Sequence, residues 1–302
     1  MISAASPGRL LWTRFIRHQL ALMSLVFLLA LLVLSLAAPL IAELRGIDPT
    51  ATDLLRRLEP PSAEHWLGTD DLGRDLFQRL LDGGRVSLLV GLSGALLSAI
   101  LGAVIGVVAG YLGGRLDSFL MRFTDGVIAL PLLPLLIVLA AIDPRKIGVP
   151  AEIAQSETFS LYRIVIIVAL TGWTTVARLV RAETLSLKAR DFTRAAQALG
   201  ARPERIMFRH ILPNTAGSLI VATTLSIGTL ILLESTLSFL GLGTQPPAAS
   251  WGNMLTGAQE LLQQAPILAL LPGLLIFLTV MAFNFLGDGL QDALDPRSER
   301  RL

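Results

Sequence analysis

Residues 86–110 read VSLLVGLSGALLSAILGAVIGVVAG, a run with no charged side chain and small or apolar residues throughout. About 20 such residues cover the roughly 30 Å hydrocarbon core of a bilayer as a helix. Backbone amides in lipid must bond within their own segment, so a continuous apolar run of this length is helical. Barrel strands would alternate apolar and polar positions, and these residues do not. Working outward, five further stretches qualify: 20–42, 118–142, 162–177, 215–240 and 266–287. The fourth is short if it stops at Thr175 and adequate if it continues toward Leu185. The expected fold class is therefore an all-α polytopic membrane protein with six transmembrane helices. A composition of 302 residues, 53% hydrophobic and 16% charged, lies outside the soluble range and agrees.

The same reading divides the chain. Residues 1–19 form an N-terminal segment, 20–42 the first span, and 43–85 a long loop with a short interfacial helix. Residues 86–287 form the remaining membrane core, including a polar loop at 186–213, and 288–302 form a tail. The first span follows Arg9, Arg14 and Arg17 like a signal peptide. Its apolar run far exceeds a signal core of about 7–15 residues, so a retained anchor is expected.

Basic residues set the orientation. With the N-terminus inside, the inner segments 1–19, 111–117, 178–213 and 288–302 carry fifteen Lys and Arg. The outer segments 43–85, 143–163 and 241–264 carry nine. The positive-inside bias places both termini in the cytoplasm. The net charge of +2 gives no basis for a nucleic-acid partner.

Chemistry of its own is not expected from this chain. It has no cysteine, and His18, His65 and His210 fall in separate segments, so no metal cluster is expected. A phosphate-binding loop needs Gly-Lys-[Ser/Thr] at its end, whereas Lys146 is followed by Ile and Lys188 by Ala. No Ser–His or Cys–His arrangement offers a nucleophile, so no catalytic residue is assigned. TDDLGRD, 69–75, lacks the spacing and closing Glu of a calcium loop and is read as a helix cap.

Two features inside the spans stand out. Gly94, Ser98, Gly102, Gly106 and Gly110 recur every fourth position and form a shallow stripe that admits a close neighbour. The neighbour is another helix of this chain or of a second subunit. Glu234 lies about six residues from the outer end of the fifth span, and an intramembrane carboxylate is a functional candidate by default. Glu234, Gly102, Gly106 and Gly110 are thus marked as translocation path or subunit interface. Arg122 and Asp125, three apart on the third span, are expected to pair with each other. Pro131, Pro134 and Pro272 predict kinks.

The polar loop is the most informative segment. In DFTRAAQALGARPERIMFRHILP, 191–213, Phe192, Ala195, Ala196 and Leu199 share one helix face. Gly200 supplies a left-handed ending, and Pro203 opens a second short helix over 203–209. The expectation is a hairpin with an apolar knob and a basic rim, fit for the groove of a soluble partner.

This stretch resembles the cytoplasmic loop of ABC-importer permeases, written Glu-Ala-Ala, three residues, Gly, nine residues, Ile-x-Leu-Pro. Ala195, Ala196, Gly200, Leu212 and Pro213 stand at matching positions; Arg194 replaces the Glu and His210 the Ile. EHWLGTDDLGRDLFQRLLDGGRVSLLVG, PPAASWGNML and FLTVMAFNFLGDGLQDALDPR resemble the C-type permease subunit of dipeptide, oligopeptide and nickel importers. The resemblance implies a type I ABC importer permease fold in a bacterial inner membrane. It implies a homologous B-type permease, two cytoplasmic ABC ATPase subunits that bind ATP and Mg, and an extracytoplasmic substrate-binding protein as partners, with lipid around them. Asp191, Phe192, Arg194, Ala195, Ala196, Leu199, Gly200, Leu212 and Pro213 then form the ATPase-coupling loop. From the residues alone, a self-sufficient secondary carrier or channel stays open as the second class.

Overall fold

In the computed structural model, residues 7–154 and 156–294 are described. The helices in chain order are α1 (Pro7–Arg17), α2 (Gln19–Leu36), α3 (Ala38–Arg45), α4 (Leu76–Leu112), α5 (Gly114–Ala129), α6 (Leu132–Ala141) and α7 (Ala151–Ala154). They continue with α8 (Glu157–Lys188), α9 (Asp191–Ala198), α10 (Pro203–Arg205), α11 (Ala216–Phe239), α12 (Trp251–Leu255) and α13 (Ile267–Leu294). Five helical runs among the described residues are long and apolar enough to span a bilayer, and the bent pair α5–α6 makes a sixth.

Several boundaries differ from expectation, each for a physical reason. The stretch 118–142 is not one kinked helix; α5 and α6 meet at 88°. Pro131 has no N–H to donate and forces Leu130 out of the helical region, to φ −74 and ψ 137. Asp125 pairs with Arg178 on α8 and Asp117 with Arg181 at 2.5 Å, so the expected Arg122–Asp125 pair is replaced by links between helices. The span at 20–42 breaks at Ala37, where Pro39 falls in the first turn of α3. Within 43–85, Leu54–Arg56 form a short 3₁₀ turn capped by Asp53, and the helix expected after TDDLGRD is the start of α4. Asp75 caps α4 by accepting the Gln78 amide at 2.7 Å, and the helix then runs unbroken into the membrane.

The small-residue stripe decides the central packing. It faces α8 of the same chain. A Cβ on Gly102 would stand 2.6 Å from the Trp173 carbonyl, and one on Gly106 equally close to that of Ala177. Gly110 meets Thr184, and Ser98 Oγ donates to the Ala169 carbonyl at 3.2 Å. Those contacts leave Gly102, Gly106 and Gly110 no face for a subunit interface or path, which corrects that assignment. Around this pair, Leu28, Leu88, Val168, Ile231 and Phe283 close one core shared by α2, α4, α8, α11 and α13.

At the end of the bundle away from the α8–α9 junction, 43–85 is held by charge. Asp75 accepts Arg45 at 3.1 and 3.2 Å and lies 3.0 Å from His65 Nδ1. The Arg45 guanidinium also stacks over Trp66, 4.4 Å from the ring centre. The carboxylates of TDDLGRD are engaged by arginines and amides, as a cap would have them.

Candidate functional site

The hairpin is built from a fixed root and an exposed tip. Lys188 Nζ donates to the Tyr111 carbonyl at 2.6 Å, and buried Thr193 Oγ1 donates to the Leu187 carbonyl at 2.8 Å. Gln197 reaches the Tyr111 hydroxyl at 3.3 Å. These anchors tie α9 to the ends of α4 and α8. The α9 helix closes with the Ala201 amide on Ala196 and the Gly200 amide on Gln197, with Gly200 at φ +77. That is the Schellman ending, which needs a left-handed residue.

Beyond the turn, the second limb is not the separate 203–209 helix that was expected. After α10, residues Ile206–Ile211 form a π-helical turn and Leu212–Thr215 a 3₁₀ turn, and the run continues directly into α11. Pro213 cannot donate to the ladder, and the change of helical pitch around it accommodates the gap. Ile206, Met207 and Ile211 are buried against Val107, Val176 and Val180. The hairpin is thus welded to the membrane core.

Its tip is bare. Phe192 is 41% exposed and Leu199 88% exposed. Ala195 is exposed and Ala196 half-buried, so the predicted face splits: Ala196 turns to the root and the other three outward. Asp191, Arg194, Arg202, Arg205 and Arg209 surround it in solvent, Leu212 is half-buried and Pro213 exposed. Phe208, 46% exposed, extends the apolar tip. The sequence pattern on α9 did not include Phe208, because it belongs to the other limb and only the turn brings the two together.

Glu234 lies elsewhere. Its side chain is wholly buried inside this chain's own fold. One carboxylate oxygen accepts Ser238 Oγ at 2.7 Å; the other accepts Ser87 Oγ at 3.1 Å and Ser235 Oγ at 3.4 Å. Ser87 Oγ in turn accepts the Trp251 amide, and Ser238 Oγ the Thr244 amide. Glu234 therefore fastens the loop 241–256 to α4 and α11 and faces neither an open groove nor a subunit surface. The path assignment for Glu234 is corrected accordingly. Ser235 and Ser238, one and four residues from Glu234, were the legible signal, whereas Ser87 lies 147 residues away.

Two grooves lie along α8 and α11. One of about 410 Å³ is lined by Thr171, Thr175, Ser226 and Thr229, with Leu132 and Leu233 at its walls. A second of about 600 Å³ is lined by Asn214, Ser218 and Gln291 and shares Ala222 and Leu225 with the first. Thr171 and Ser226 donate to carbonyls of their own helices. None of the residues lining either groove is charged.

The sequence that folds into this helical core and its projecting hairpin matches a known family model. Residues 102–300 match the model of the binding-protein-dependent transport system inner membrane component. The chain belongs to this family. Residues 6–61 match the N-terminal transmembrane domain of oligopeptide transport permease C, which makes it a C-type member. It is 38% identical to the oligopeptide transport system permease protein OppC of Bacillus subtilis over 94% of this chain and 88% of that one. It is 42% identical to the glutathione transport system permease protein GsiD of Salmonella typhimurium, over 97% and 91%. An amino acid ABC transporter solved with histidines superposes with a TM-score of 0.51 over 75% of this chain and 95% of that one. At 15% identity that likeness concerns the fold alone.

Proposed function

We propose that this chain is the C-type permease of an ATP-driven peptide importer and forms half of its solute path with a homologous B-type permease. The observation that carries the reading is the hairpin: an apolar tip left in solvent on a root tied into the α4–α8 core. Large apolar side chains held outward on a rigid support are a docking element. An ATPase subunit seated there would move α8 and α11, which also carry the hydroxyl-lined grooves. ATP and Mg belong to two such ATPases, and an extracytoplasmic binding protein delivers substrate. The names of the relatives support peptides as the solute class, and an uncharged groove suits solutes that differ in side chain but share a backbone. No catalytic role falls to this chain.

Reconstitution tests the whole reading. Proteoliposomes holding both permeases and both ATPases are expected to take up a labelled dipeptide only with ATP on the ATPase side and the binding protein on the other. Uptake by this chain without ATPases would overturn it in favour of a secondary carrier.

The orientation is tested separately. Both termini and the hairpin are cytoplasmic in this reading, from the basic asymmetry. The chain has no native cysteine, so single cysteines at Ser6 and exposed Gln259 report cleanly. Only the latter is expected to label from outside intact cells; equal labelling of both would reverse the assignment.

A further inference from the structure

We propose that the end of the bundle opposite the hairpin holds a site for a small carboxylate with an apolar body, centred on Arg79. A cavity of about 310 Å³ lies there between 70–79 and the loop 241–258, and a second of about 540 Å³ adjoins it. Arg79, Pro247 and Ala248 line both. Arg79 is only 6% exposed, yet its one ion-pair partner is Asp70, met through Nε at 3.2 Å. The two terminal nitrogens of its guanidinium have no protein partner among the described residues.

Asp70 cannot do more for it. One of its oxygens accepts the amides of Leu72 and Arg74, both at 2.9 Å, and the other accepts Arg74 Nε at 2.7 Å. Two arginines thus share one carboxylate. The forked edge of the guanidinium borders the cavity, and a second carboxylate there would meet it with two parallel bonds. Asp71 stands at the same cavity, half exposed, with Arg74 3.9 Å away. Leu76, Met254, Leu261 and Leu268 form an apolar part of the wall that suits the ligand's apolar body, and Thr244, Gln245, Asn253 and Thr256 also line the cavity. A cavity of this size would otherwise hold several waters.

The site is independent of ATP, so its test stands apart from that of uptake. The probes are N-acetyl-leucine and N-acetyl-leucinamide, which differ only in the carboxylate, titrated into the assembled importer in nanodiscs without nucleotide or binding protein. Saturable binding of the acid is expected, with the amide weaker by on the order of tenfold or more. Arg79→Gln should weaken the acid by a similar factor. Met254→Trp, which fills the apolar end and leaves the arginine in place, should do the same while retaining the parent melting temperature. Equal binding of acid and amide, or undiminished binding by either variant, overturns the proposal. So does binding to the isolated chain that vanishes in the assembly, because a carboxylate of a neighbouring subunit would then be the occupant.

Discussion

Replacing Glu234 by Leu is expected to cost several kcal/mol of stability and to loosen the loop 241–256. The carboxylate is the acceptor for Ser87, Ser235 and Ser238, all buried. Leucine removes the acceptor and leaves the hydroxyls where they are. Each buried polar group so orphaned costs about 1–3 kcal/mol, against which the gain from burying one more apolar side chain, about 1.5–3 kcal/mol, is the smaller effect. The damage then travels outward, because Ser87 and Ser238 hold the amides of Trp251 and Thr244. Trp251 is fully buried, packs against Gly83 and Gly84, and donates its indole N–H to the Leu80 carbonyl at 3.0 Å. Thermal unfolding of the purified chain and hydrogen exchange at Thr244 and Trp251 read both consequences. Unchanged melting with full protection would mean that the serines find other partners. Glu234→Gln, which keeps one acceptor oxygen, should fall between the two.

This network marks where sequence reasoning stopped. Long apolar runs such as 86–110 announce a helix whatever they touch, so all six spans were legible from composition and continuity, the third of them folding as the bent pair α5–α6. Gly102, Gly106 and Gly110 announced a close neighbour but not its identity, since an α8 backbone and a second subunit would select the same small residues. Glu234 was visible as an oddity in an apolar run. Its meaning depended on Ser87, 147 residues away, and on the fold of a loop with no periodicity of its own. The bend between α5 and α6 was foreseeable as a kink at Pro131, but its 88° follows from α5 lying along α8 through Asp117 and Asp125, which are tertiary choices. The hairpin was the most readable element, because its knob, its glycine and its proline are local signals. Its second limb, continuous with α11, and the turn of Ala196 toward the root escaped.

That hairpin carries the largest functional effect. Gly200→Val is expected to leave the chain inserted and paired with its partner permease, yet to reduce ATP-driven uptake by at least about tenfold and weaken ATPase retention. Gly200 sits at φ +77, and nothing lies within 4 Å of where its Cβ would be, so a side chain meets no neighbour. The whole penalty is the backbone conformation, on the order of 1–2 kcal/mol for a residue with a Cβ and more for a β-branched one. Such a penalty is too small to unfold a bundle whose core is elsewhere. It is large enough to abandon a turn made of two backbone hydrogen bonds, and that turn aims Leu199 and Phe192. Asparagine tolerates the left-handed region, so Gly200→Asn should retain most uptake even though its side chain is larger than alanine's. The measurements are ATPase co-purification and uptake at matched membrane levels of each variant. A valine variant that transports normally would remove this loop from the coupling path. Equal loss with asparagine would assign the requirement to the absence of a side chain at a contact surface, with the bend itself unimportant.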